Sequence, residues 1–150
     1  MRAVVQRVNQ AAVEVEGTEI ARIGQGLLAL IGISREDTGA DLAWMAKKIV
    51  ELRIFDDAQG KLNLALQEVG GELLLVSQFT LYGNSRKGRR PSYAAAAPPQ
   101  QAESLYEEFV ELVRRRVPGA KSGRFQAMMN VSLTNSGPVT LILDSREQES

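Results

Sequence analysis

The sequence contains no histidine and no cysteine. Ser-His-Asp and Cys-His catalysis are therefore excluded, because each needs an imidazole to carry the proton. A zinc site with nitrogen or sulfur ligands is excluded on the same ground, and so are disulfides and the secreted frameworks built on them. Any hydrolytic chemistry must come from carboxylates, lysine, hydroxyls, backbone amides or the substrate. No stretch approaches the roughly 20 apolar residues of a membrane span. Met1 to Arg7 moves straight into apolar alternation, unlike a signal peptide. These features predict a cytoplasmic protein with no membrane association. Asn130-Val131-Ser132 matches the glycosylation triplet, which such a location leaves without meaning.

Net charge is also lacking: 18 basic residues balance 18 acidic ones, so the global field does not mark a nucleic-acid binder. Local distribution is more informative. Arg86, Lys87, Arg89 and Arg90 gather within one short segment, and Arg114, Arg115 and Arg116 form a second block. The second block is accounted for by compensation of a helix dipole.

What is present suits one domain spanning residues 1–150, with 44% hydrophobic residues and enough chain to bury a core. Met1 to Val8 reads as a strand, and Val13-Glu14-Val15 as the next, turning at Glu16-Gly17-Thr18-Glu19 into Ile20 to Ile23. Leu27 to Ile33 and Leu73 to Phe79 are near-continuous apolar runs of the kind found in strands buried on both faces. Gly24-Gln25-Gly26 is a turn rather than a phosphate loop, since no Gly-Lys-Ser/Thr follows.

Asp37 or Thr38 caps a helix to about Leu52, with Leu42, Met45, Ala46, Ile49 and Leu52 as its stripe. Ile54-Phe55 and the following Asp-rich segment make a short strand and turn. Pro98-Pro99 opens a second helix to Val117, with Ala102, Leu105, Phe109, Leu112 and Val113 inward. Arg124 to Leu133 and Val139 to Leu143 read as two strands. About eight strands and two helices, clustered rather than alternating, predict an α/β protein of α+β type: mixed or antiparallel sheets with helices on one side.

Two segments carry chemistry. In Ser77-Gln78-Phe79-Thr80-Leu81 a buried strand turns polar. Residues three apart on a strand face opposite sides, so Ser77 and Thr80 share a pocket only if the chain bends. A bend would free the Phe79 and Thr80 amides to stabilise an oxyanion; a plain strand end satisfied by neighbouring backbone is the alternative. In Asn135-Ser136-Gly137-Pro138-Val139-Thr140 the plain reading is a turn. The functional one holds Gly137-Pro138 cis, which X-Pro bonds tolerate, and directs unshielded carbonyls outward where they can discriminate substrate handedness. The Arg86, Lys87, Arg89, Arg90 segment is either a solvated loop or a cradle for phosphates at an RNA end.

With these two motifs the sequence resembles the D-aminoacyl-tRNA deacylases, also called D-tyrosyl-tRNA deacylases. Met1 to Val8, Gly26 to Ile33, Leu52 to Phe55, Gly60 to Asn63, Arg90 to Tyr93 and Gly123 to Phe125 resemble family segments in the same order. The resemblance implies two packed β-sheets forming a partly open barrel with two helices on one side, and a homodimer with active sites near the interface. It implies hydrolysis of the ester of D-aminoacyl-tRNA at the tRNA 3′ end, without metal or cofactor, and rejection of L-aminoacyl esters by Gly137 and Pro138. Clearance of glycine mischarged on tRNA(Ala) is a further implied activity.

Arg7 falls where the family steadies the Gly-Pro element. Ser77, Gln78, Phe79 and Thr80 would line the catalytic pocket, while Asn135 joins Gly137, Pro138 and Arg7 in substrate binding. Ser136 replaces an acidic residue more often expected before Gly-Pro, and Met128 stands where Asp is common; both bear on substrate preference. Backbone oxyanion binding assisted by the ribose hydroxyl, and a Thr80 nucleophile, are the two mechanisms left open. A non-catalytic RNA-end-binding module and a hydrolase of another small ester are the rival functions.

Overall fold

The computed structural model describes residues 1–147. These residues form eight strands, two α-helices and one 3-10 turn of helix. In chain order they are β1 (Arg2–Val15), β2 (Thr18–Ile23), β3 (Gly26–Gly32), α1 (Gly39–Glu51), β4 (Phe55–Asp56), β5 (Leu62–Leu64), β6 (Glu72–Ser77), the 3-10 helix (Phe79–Tyr82), α2 (Pro99–Arg116), β7 (Lys121–Ser122) and β8 (Met129–Asp144).

The main sheet runs β2-β1-β3-β6-β7, with β8 on the other edge of β1; β4 and β5 form a separate hairpin. Pairings of β1 with β2, β3 and β8 are antiparallel, whereas β3–β6 and β6–β7 are parallel. The sheet curls until β2 approaches β6 and β7. The result is a mixed, nearly closed barrel with a second small sheet, as the α/β expectation required.

The curl divides the core in two. Leu27, Ala29 and Ile31 of β3 and Leu73 and Leu75 of β6 face the helices, meeting Leu42, Met45 and Ile49 of α1 and Tyr106, Phe109 and Val113 of α2. Leu28, Leu74 and Val76 point the other way, into the curl, with Val8, Ala11, Val13, Val15 and Ile23. Burial on both faces is why β3 and β6 read as unbroken apolar runs. A Cβ on Gly26 would lie 1.8 Å from the Glu72 carbonyl oxygen, so only glycine lets β3 begin flush against β6.

Four expectations change. Met1 to Val8 and Val13 to Val15 are one strand, because β8 pairs along almost all of β1 while the other edge passes from β3 to β2. Between these two segments Asn9 is an extra residue in the ladder: Val8 pairs with Asn135 and Gln10 with Thr134. The strand expected from Leu73 to Phe79 stops at Ser77. The strand expected from Arg124 begins only at Met129, after a turn in which Gln126 has φ +61°, and it joins the strand expected from Val139 in a single β8 to Asp144.

Thr38 is the residue before α1, with its N–H donating to the Asp41 carboxylate at 2.9 Å. Asp37 is spent elsewhere. It is buried and receives the Met1 α-ammonium on Oδ1 at 2.7 Å, while Oδ2 accepts the Ser34 amide at 2.7 Å. Within the helix stripes, Leu52, Leu105 and Leu112 are only partly buried, and Val50, Tyr106 and Val110 take the inner positions.

Candidate active site

At the C-terminal end of β6 the parallel ladder closes with the Gln78 amide donating to the Ile31 carbonyl at 2.7 Å. The chain then winds into the 3-10 turn, where Leu81 N–H donates to Gln78 O at 3.2 Å and Gly83 N–H to Thr80 O at 2.9 Å. The Phe79 and Thr80 amides stand at the open end of this turn, ahead of its first intrahelical donor. The chain thus bends after Ser77, the condition set for Ser77 and Thr80 to share a pocket. The Gln78 side-chain amide donates to Thr80 Oγ1, and the exposed Phe79 ring meets Tyr93 edge-on at 5.1 Å between centroids.

A cavity of about 820 Å3 opens beside this bend, between the start of β8 and the N-terminal end of α2. Ser77, Gln78 and Phe79 line it; Thr80 does not, since its hydroxyl is turned to Gln78. The remaining walls include Tyr93, Ala97, Phe125 and Met129. Among the described residues Arg35 is the single charged member of the lining, which holds no carboxylate or lysine. Its position beyond the carboxyl ends of two parallel strands is where open sheets commonly receive ligands.

The Phe125 wall is fixed from behind. Tyr106 stacks on it at 6.1 Å, and the Tyr106 hydroxyl lies 3.2 Å from the Leu75 carbonyl and 2.6 Å from Ser122 Oγ. Burial pushes the Tyr106 phenol up to about 12 against the weaker opposing pull of Ser122 and Arg114. On the other side, Arg2 lies over the Tyr82 ring at 4.5 Å and donates to the Leu81 carbonyl at 3.1 Å, which pins the end of the 3-10 turn.

The second motif forms an excursion from the β1–β8 ladder. Gln6 pairs with Thr140 and Val8 with Asn135, so β1 passes one residue, Arg7, while β8 passes Ser136 to Val139. The Gly137–Pro138 peptide is cis, as the sequence reading expected, and both residues are exposed. Arg7 backs the excursion: Nε donates to the Ser136 carbonyl at 3.2 Å and Nη1 to the Ile54 carbonyl at 3.0 Å, with Asp56 at 3.3 Å. Gly137 has φ +120°, and a Cβ there would lie 2.9 Å from Arg7 Nη2.

Asn135 is placed differently from its expected role. Its amide is turned to the Arg7 and Val139 carbonyls, at 2.9 and 3.0 Å. None of Arg7, Asn135, Gly137 and Pro138 lines the cavity of its own chain.

The basic segment is a loop closed at its neck, where Asn84 and Ser92 exchange backbone hydrogen bonds at 2.7 and 2.8 Å. Arg86, Lys87, Arg89 and Arg90 are all exposed. Among the described residues none of these four enters a salt bridge. The neck leads directly into Tyr93, which lines the cavity. Arg114 and Arg116 are used otherwise, on the Ala120 carbonyl and on Glu51. Among the described residues no group of three potential metal-ligating side chains occurs, and no helix is long and apolar enough to cross a membrane.

Sequence reasoning did not find Arg35, Ala97 or Met129 as cavity walls. They come from segments far apart in the chain, and none stands out by residue type.

The sequence model of the D-Tyr-tRNA(Tyr) deacylase family matches residues 4–144. A D-aminoacyl-tRNA deacylase of Desulfatibacillum aliphaticivorans is 59% identical over 146 residues, covering 97% of this chain and 100% of the relative. That of Bacillus velezensis is 57% identical over 147 residues, covering 98% and 100%. Among solved structures, the c-Myc DNA Unwinding Element Binding Protein superposes with a TM-score of 0.91 at 44% identity, covering 96% of this chain and 98% of that one. A probable eukaryotic D-amino acid tRNA deacylase shares the fold, with a TM-score of 0.82 at 19% identity over 95% of this chain and 97% of that one. With its family model matched from Val4 to Asp144, this chain belongs to the D-Tyr-tRNA(Tyr) deacylase family.

Proposed function

We propose that this chain hydrolyses the ester linking a D-amino acid to the terminal ribose of tRNA, as a cytoplasmic homodimer that rejects L-aminoacyl esters. The observation that carries the reading is the bend at Ser77–Thr80, which leaves the Phe79 and Thr80 amides without an intrahelical acceptor at the edge of a cavity of about 820 Å3. That volume suits an aminoacylated adenosine. The cavity offers no general base among the described residues, so its chemistry must suit an ester that is already activated.

Water adds to the ester carbonyl carbon, and the negative charge that develops on its oxygen is met by the Phe79 and Thr80 amides. The C–O bond to the ribose then breaks, the ribose oxygen recovers a proton, and the free D-amino acid leaves. The neighbouring ribose hydroxyl orients the water. One oxyanion donor is typically worth about 2.7–4 kcal/mol, enough for a site assembled from main chain. Ser77 and Gln78 shape the pocket.

Gly137 and Pro138 lie outside their own chain's cavity, on the exposed excursion. In the homodimer each excursion reaches the partner's cavity and sets main-chain carbonyls where an L side chain would have to go. Ile142 of β8, 80% exposed, would be covered in such an interface. A pocket that excludes by carbonyl placement admits glycine, so glycine mischarged on tRNA(Ala) is also cleared.

The test is release from matched D-Tyr-tRNA, L-Tyr-tRNA and glycyl-tRNA(Ala), with light scattering on the same sample. Release of D-tyrosine and glycine but not L-tyrosine, by a dimer, is expected. Release of both tyrosine enantiomers would overturn stereospecificity. Binding without release would instead favour an RNA-end-binding module, the reading that the four exposed loop cations support.

A further inference from the structure

We propose that the Asn135 carboxamide is a positioning group that closes the neck of the Ser136–Val139 excursion and so fixes the direction of its carbonyls; the functional part of this inference rests on the stereospecific reading above. Where β8 leaves the ladder, Arg7 and Val139 are skipped in the β1–β8 pairing, although Arg7 keeps Leu27 of β3 on its other side. A part-buried carbonyl left without a donor is destabilising. Asn135 supplies both donors from one nitrogen, at 2.9 Å to Arg7 O and 3.0 Å to Val139 O. Its Oδ1 accepts the Thr140 hydroxyl at 3.2 Å, and Thr140 Oγ1 accepts Gln6 Nε2 at 3.4 Å.

The geometry is specific to an amide. Both Nδ2 hydrogens are used, and the orientation of the group is set by the Thr140 hydroxyl on its other end. Aspartate has nearly the same shape but would turn acceptors onto two carbonyls. The clamp spans from residue 135 to the backbone of 139, so the three residues between them are held at their base, while Arg7 holds their flank through Ser136 O. Asn135 thus acts through the excursion and not on the ligand.

Asn135→Asp separates the clamp from its alternatives, read in two ways. Amide hydrogen exchange of Ser136, Gly137 and Val139 should accelerate about 10-fold, and the D/L ratio of kcat/KM should fall by about 10-fold, the effect of removing one or two hydrogen bonds. Thr140→Val, which removes only the orienting hydroxyl, should shift both readouts less, and Thr140→Ser should restore them. Should Asn135→Asp fail to fold, the Thr140 pair carries the test.

Unchanged exchange over residues 136–139 overturns the clamp. Faster exchange with an unchanged ratio overturns its role in selectivity. A wild-type protein that shows no D preference overturns the proposed function instead, and the exchange rates still decide the clamp.

Discussion

Arg7 donates from Nε to the Ser136 carbonyl across the gap in the β1–β8 ladder, at 3.2 Å, and the same guanidinium fills the space a Gly137 side chain would need. Gly137→Ala therefore meets two obstacles: a φ of +120° that L residues avoid, and a Cβ 2.9 Å from both Arg7 Nη2 and Val139 Cγ2. The expected outcome is a loss of about 1–3 kcal/mol in urea denaturation. Because Arg7 must move, L-Tyr-tRNA release should rise relative to D-Tyr-tRNA release in the same preparation.

Thr80→Val distinguishes the two mechanisms. The Thr80 hydroxyl is held by the Gln78 side chain, a neutral amide that cannot serve as its base. Backbone catalysis predicts that D-Tyr-tRNA turnover stays within about 10-fold of wild type, the range of a single side-chain hydrogen bond. A covalent role predicts a loss above about 1,000-fold. Under the backbone mechanism, tRNA ending in 2′-deoxyadenosine should be released much more slowly than the normal substrate.

The loop cations should govern affinity and not chemistry. Replacing Arg86, Lys87, Arg89 and Arg90 together with alanine should flatten the dependence of log K on log salt, measured by tRNA binding titrations. The slope should change by about 0.7 for each phosphate no longer neutralised. Single-turnover release at saturating enzyme should be unchanged, since the loop stands outside the cavity lining.

Asp37→Ala leaves the Met1 α-ammonium buried without its carboxylate, with both groups at 0% side-chain exposure in the wild type. Breaking a buried pair by removing one partner typically costs about 3–5 kcal/mol. Arg146 Nη2, 3.7 Å from the same carboxylate, is deprived of that partner too. Equilibrium urea unfolding checks the figure.

Tyr106 predicts an alkaline limit. Burial favours the neutral phenol and raises its titration to about 12 from the ordinary 10.0. The folded state therefore holds this proton more tightly than the unfolded one. The associated stability is complete below pH 10 and is lost as pH rises through about 12. Tyr106→Phe should remove that part of the alkaline slope in thermal unfolding, while also breaking the hydrogen bonds to Leu75 and Ser122.

Much of the framework was legible because it rests on local patterns. Leu27 to Ile33 and Leu73 to Val76 announce strands buried on both faces, and α2, expected from Pro98-Pro99 to Val117, runs from Pro99 to Arg116. The split into Met1 to Val8 and Val13 to Val15 misled, since only the partner strand β8 reveals that the chain stays extended between them.

The cavity was half legible. Ser77, Gln78 and Phe79 were found from a change in polarity along one strand, but Arg35 and Met129 arrive by tertiary folding and leave no mark in their own neighbourhood. Asn135 shows the limit most clearly: a polar residue in a motif has the same letter whether it faces a ligand or a backbone carbonyl.

An exposed Gly137–Pro138 turn presents peptide atoms to its surroundings and almost nothing else. Peptide atoms are identical in every protein, so no single codon change can delete them or swap their chemistry. On the proposed reading, drift in fidelity would enter through what holds the turn, at Gly137 itself, at Arg7 behind it or at Asn135 beneath it, and would surface as altered tolerance for the mirror-image substrate.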